Sequence, residues 1–195
     1  MIAALGLAAA ISTSRPPGIF PPKPAPPVYA SGNYALTFRA SPTLTYCPLP
    51  DGWVGSDHGT TLFLVPPHEC GGAGYASSSR AFSPSSTPRI EVYYGYAFDE
   101  GRARPCKAAG RLRFLGQTRP LCRGRDGDMI TMEARGSYQA DEPAEASVRL
   151  VTSPRRLSID MKALISLAKS LHPCRVPGAT PPLGTGAACP QAAWY

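Results

Sequence analysis

Lysine and asparagine are nearly missing from this sequence. Lys23, Lys107, Lys162 and Lys169 are the only lysines among 20 basic residues, and Asn33 is the single asparagine. Arginine, alanine, glycine and proline are abundant instead. All four have GC-rich codons, so a GC-rich bacterial genome explains the bias before any selection for guanidinium chemistry. Charged residues are few, at 17% of the chain. Several paired motifs are also missing. There is no Cys-x-x-Cys and no His-Glu-x-x-His, which removes the usual spacings by which a turn or helix presents two zinc ligands at once. There is no Gly-x-Ser-x-Gly elbow of the kind that exposes a serine nucleophile. After the amino end no apolar run approaches the ~20 residues needed to cross a bilayer.

The chain has 195 residues, 43% of them hydrophobic, which suits one domain with its own core. The apolar run Ile2 to Ile11 has the length of a signal-peptide core and leads at once into proline. Seven of the twelve residues from Pro16 to Pro27 are proline, a composition that favours extended polyproline II. The expected organisation is therefore a signal peptide over 1–14, a Pro-rich linker over 15–32, one domain over 33–175 and an irregular tail over 176–195. No cysteine adjoins the apolar run, so no lipid anchor is expected. The destination is the periplasm or the extracellular space.

Six cysteines agree with export: Cys47, Cys70, Cys106, Cys122, Cys174 and Cys189. An even count outside the cytosol favours three disulfides. Six cysteines allow 15 connectivities, among which sequence does not choose. The sequential set, Cys47–Cys70, Cys106–Cys122 and Cys174–Cys189, is the preferred expectation because each pair closes a short loop.

From Asn33 onward the hydrophobic pattern has period two. Ile90, Val92, Tyr94 and Tyr96 share one side of a strand and Glu91 and Tyr93 the other. The same alternation places Leu112 and Phe114 opposite Arg111 and Arg113, and turns Ile130, Met132, Ala134, Val148 and Leu150 inward. One helix follows, with Ser153 as expected N-cap and Pro154 at its first position. Leu157, Met161, Leu164, Ile165, Ala168 and Leu171 recur at helical spacing. Strands without alternating helices imply an antiparallel sheet. The predicted fold is α+β: about six or seven strands packed against one long C-terminal helix, stapled by disulfides.

The turn Leu49-Pro50-Asp51-Gly52-Trp53 leads into strands, and the strand ending Val148-Arg149-Leu150-Val151-Thr152 runs into a helix ending Leu164-Ile165-Ser166-Leu167-Ala168-Lys169-Ser170-Leu171-His172-Pro173-Cys174. In these two stretches and in element order, Thr37 to Leu171 resembles the PsbP-like superfamily of small exported domains. That resemblance implies a strand meander closed by a helix, and a binding or assembly role. It carries no functional residue onto this chain.

Two segments are candidates for chemistry. Residues 45–72 hold Cys47, Asp57, His58, His68, Glu69 and Cys70. Their spacing fits no zinc motif, and an oxidised Cys70 is not a ligand. Ser56-Asp57-His58 contains the residue types of a serine hydrolase, but triads are assembled from distant segments. Turn chemistry closed by a disulfide explains the stretch, and no metal or cofactor is expected. The second segment, 101–135, has nine basic and three acidic residues, a net of +6 against +7 for the whole chain. Concentrated basicity points to an anionic partner, through Arg111, Arg113, Arg123 and Arg125. Nucleic acid is a poor fit for an exported chain whose basic segment lacks stacking aromatics. The expected function is an exported, non-enzymatic binding or accessory protein of the bacterial envelope. The alternatives are a secreted hydrolase using Ser56 and His58, and an inhibitor or immunity-type protein.

Overall fold

Period-two alternation carries most of the chain into strands. The computed structural model describes residues 21–47, 59–68, 70, 87–96, 106–139, 143–178 and 184–190. In order these form β1 (Lys23–Pro24), β2 (Val28–Ser31), β3 (Leu36–Arg39), β4 (Thr45–Tyr46), β5 (Gly59–Phe63), β6 (Arg89–Tyr96), β7 (Lys107–Phe114), β8 (Gln117–Asp126), β9 (Met129–Gln139), β10 (Pro143–Thr152), helix α1 (Leu157–Ser170) and β11 (His172–Pro173). Eight strands make one antiparallel sheet in the order β1-β4-β5-β6-β10-β9-β8-β7, and β11-β3-β2 make a second of three strands.

The expected α+β class with six or seven strands is therefore corrected. The described protein is mostly β, with α1 its one helix and with strands that the sequence pattern conceals. β8 reads Gln-Thr-Arg-Pro-Leu-Cys-Arg-Gly-Arg-Asp and buries only Leu121 of its apolar residues, so it carries no alternation. Its Pro120 pairs opposite Arg111, while the β8–β9 ladder covers only Cys122 to Asp126. At Pro120 just one side is laddered, the half-edge setting in which a missing N–H is tolerated. β1 and β2 arise from the expected linker: Lys23–Pro24 pairs with Thr45–Tyr46, and Val28–Ser31 with Leu36–Arg39.

Register aligns the apolar rows. Leu62, Ile90, Leu150 and Met132 lie side by side across β5, β6, β10 and β9, with Val92, Val148 and Ala134 in the next row. All are buried in one cluster with Leu112, Phe114 and Leu121. The inward and outward faces of β6, β7, β9 and β10 follow the sequence alternation. This inner face is covered by α1, which packs on β10, β7 and β3, and by the small sheet. The Tyr138 hydroxyl donates to the Tyr34 carbonyl at 2.9 Å, tying β9 to the β2–β3 corner. Tyr29 and Phe38 stack at 4.8 Å.

The helix begins later than expected. Ser153 does not cap it; its carbonyl accepts the Arg156 N–H at 3.1 Å in a preceding turn, and Arg156 occupies the cap position without a side-chain bond. Asp160, 1% exposed, fixes the strand-to-helix corner instead. It accepts from the Thr152 hydroxyl at 2.5 Å and from Arg156 Nε and Nη2 at 3.1 and 2.9 Å. Leu164, Leu167 and Ala168 form the buried stripe, whereas Leu157, Met161 and Ile165 are only partly covered.

Candidate functional site

The arginines fall into two sets. Arg89, Arg135, Arg149 and Arg156 are ion-paired. Three of these four work on the outer face of the large sheet. Arg89 Nε donates to Glu91 Oε1 at 2.8 Å, Arg149 Nη1 to Glu91 Oε2 at 3.0 Å and Arg149 Nη2 to Asp126 Oδ2 at 3.1 Å. Arg135 Nε meets Glu133 Oε1 at 2.6 Å. Tyr93 faces outward beside this network, about half exposed.

The second set is concentrated on one hairpin. Between Lys107 and Asp126 there are six basic residues (Lys107, Arg111, Arg113, Arg119, Arg123, Arg125) and one acidic residue, a net of +5. None of the six has an ion pair among the described residues. The single acid, Asp126, is engaged with Arg149 and Arg89. The remaining unpaired cations, such as Arg39, Lys162 and Arg175, are dispersed over other elements.

Local sequence explains the hairpin. Phe114 pairs with Gln117 across the two residues Leu115 and Gly116, both at positive φ (52° and 71°), which is the turn geometry that matches strand twist. Asp126 pairs with Met129 across Gly127-Asp128, so the Asp-Gly-Asp stretch is a tight turn. The Cys106–Cys122 disulfide staples the open end of the hairpin, with sulfurs 1.93 Å apart.

The four arginines singled out from sequence are not brought together as one patch. Arg111 and Arg113 alternate with buried Leu112 and Phe114, so they face outward. Arg123 and Arg125 pair with Met132 and Ile130, both buried inner-face residues, so they stand on the opposite side. Lys107 joins this second pair through a β-bulge. The register passes from Ala108↔Cys122 to Gly110↔Leu121, leaving Ala109 extra, and Gly110 adopts φ 151°. Without that extra residue Lys107 would share the face of Arg111 and Arg113. With it, Lys107 lies directly opposite Arg123. Lys107, Arg123, Gly124 and Arg125 line an open groove of about 410 Å³. Gly110 inside a strand was the one sequence signal for this bulge.

Arg119 is a basic residue that the sequence reading did not single out. It is half-buried, and its Nε is shielded from solvent without a hydrogen-bond partner. Gly136 makes room for it: a Cβ there would lie 3.1 Å from that nitrogen.

Of residues 45–72, only 45–47, 59–68 and 70 are described, and no metal-ligand cluster is formed among them. Cys47–Cys70, Cys106–Cys122 and Cys174–Cys189 are all disulfide-bonded, in the sequential order set out above. Ser56, Asp57 and His58, and the turn Leu49 to Trp53, lie outside the described residues. Among the described residues no group of three or more His, Cys, Asp or Glu could hold a metal ion, and no helix is long and apolar enough to cross a membrane. Comparison with protein-family models, curated proteins and solved structures finds no match to this chain.

Proposed function

We propose that this chain is an exported binding domain of the bacterial envelope whose β7–β8 hairpin holds an anionic partner, and that it acts by association and not by catalysis. The observation that supports this reading is the partition of the arginines: those elsewhere on the large sheet are ion-paired, while the six cations of one hairpin have no acidic partner among the described residues. A competing explanation covers only some of them. β7 is the outermost strand of the sheet, and basic residues with a bulge are a common way to keep an edge from pairing with another chain. That accounts for Lys107, Arg111 and Arg113. It does not account for Arg123 and Arg125, which sit where β8 is laddered on both sides.

Three disulfides fit an oxidising compartment, where such bonds form and persist. The periplasm or the extracellular space is part of the same proposal. Contacts made by exposed guanidinium groups are screened over about 8–10 Å at physiological salt, so binding is expected to weaken as ionic strength rises. The test is binding to purified lipopolysaccharide and to polyglutamate over a salt series. The comparison is a variant with Arg111, Arg113, Arg123 and Arg125 all changed to Glu that keeps its circular dichroism spectrum. Loss of binding to one or both ligands supports the proposal. Binding that is insensitive to salt and to the four reversals removes its basis.

A further inference from the structure

The geometry points to a phosphate-binding site formed by Lys107, Arg123 and Arg125 on the inner-face side of the hairpin. This rests on the reading above, that the hairpin serves an anionic partner, and gives that partner a chemistry: a terminal phosphate, free or carried on a lipid headgroup.

Three observations support it. Lys107 and Arg123 are directly opposed across the β7–β8 ladder, which sets their Cβ atoms about 5 Å apart. Like charges in that position repel and destabilise the pairing. Second, Arg125 is two residues along the same strand and on the same side, about 7 Å from Arg123. The three cations thus form a compact triangle around one groove, with no carboxylate from the described residues between them. A tetrahedral dianion matches that spacing and would turn three mutual repulsions into charge-assisted hydrogen bonds. Third, Lys107 reaches the triangle only through the bulge at Ala108–Gly110. Bulges re-aim side chains next to functional sites, and this one moves a cation away from the Arg111–Arg113 face toward two others. Edge protection requires no such convergence.

The experiment follows the thermal transition of the intact, disulfide-bonded protein. Inorganic phosphate is titrated against sodium chloride at matched ionic strength. Wild type is expected to show a saturable rise in Tm with phosphate. Lys107→Gln, Arg123→Gln and Arg125→Gln are each expected to weaken phosphate binding by about tenfold or more. In the absence of phosphate, Lys107→Gln and Arg123→Gln are expected to melt no lower than wild type, because each removes a repulsion. Lys162→Gln, an exposed cation of α1, is expected to keep the phosphate response. Flotation with phosphatidic acid vesicles, against phosphatidylcholine vesicles, assigns the source. Binding to the former identifies a lipid-borne phosphate, and a phosphate response without vesicle binding identifies a free one. Absence of any phosphate-specific rise in wild type overturns the site. So does an equal loss in Lys162→Gln. If lipopolysaccharide or polyglutamate binding persists while the phosphate response is absent, the site is wrong and the broader binding role stands.

Discussion

Removing Glu91 takes from a nearly buried guanidinium its shortest ion pair, and the cost can be worked from the geometry. The Glu91 carboxylate accepts from Arg89 at 2.8 Å and from Arg149 at 3.0 Å. The Arg89 side chain is 6% exposed, Arg149 26% and Glu91 22%. Hydrogen bonds to charged groups contribute about 1.5–3 kcal/mol each, and leaving a fully buried charge unpaired costs about 3–5 kcal/mol. Two features lower these figures. Arg149 keeps Asp126 at 3.1 Å and has partial access to water. Arg89 keeps Asp126 at 3.8 Å and donates to the Thr87 carbonyl at 3.4 Å. Glu91→Ala is therefore expected to lose about 2–3 kcal/mol, mostly through Arg89. In a chain of this size that lowers Tm by roughly 4–12 °C. Asp126→Ala touches the same two arginines from a side chain 43% exposed, and is expected to cost less than about 1 kcal/mol. Arg89→Met/Glu91→Leu is expected to recover most of the loss, since Arg89 lies between buried Phe63 and Val151 in the ladder. The assay is equilibrium urea unfolding with the disulfides intact. Equal costs for Glu91→Ala and Asp126→Ala would refute the reasoning, as would a Glu91→Ala variant within about 0.5 kcal/mol of wild type.

Two further outcomes are expected. Replacing Cys106 and Cys122 together by alanine opens a loop with a sequence separation of 16, and is expected to cost about 3 kcal/mol in urea unfolding. A loss under about 1 kcal/mol would mean that the β7–β8 ladder is held by its backbone pairing alone. Gly59→Ala drives a Cβ into the Val92 carbonyl oxygen at a φ of 137°. It is expected to lose at least about 2 kcal/mol and to expose β5–β6 amides to hydrogen exchange; unchanged exchange there would refute the close approach.

Much of the large sheet was legible because its strands bury one face and wet the other. In β6, β7, β9 and β10 the residues that alternation names are buried: Ile90, Val92, Leu112, Phe114, Ile130, Met132, Val148 and Leu150; Arg89, Thr131 and Val151 are buried as well, out of phase with them. The missed strands lack that signal for physical reasons. β8 has cations on its inner side at Arg119, Arg123 and Arg125, the last two exposed, so polarity no longer marks the outside. β1 and β2 were hidden by prolines, which at sheet edges need not break pairing. The helix starts later than Ser153-Pro154 imply, because those residues form a turn and a buried Asp160 anchors the corner through Thr152 and Arg156. At the candidate site, sequence named the right segment but not its faces. One extra residue at Ala109 inverts everything before it, as a strand with period two requires.

The most direct measurement is NMR of the arginine side-chain Nε–H groups, titrated with the anionic ligand that binds. Arg123 and Arg125 are expected to shift, joined by Arg111 and Arg113 when the ligand is extended enough to reach both faces of the hairpin, while Arg89, Arg135, Arg149 and Arg156, already held by carboxylates, stay in place. Shifts spread equally over both sets, or confined to the ion-paired set, would contradict a binding role for the β7–β8 hairpin.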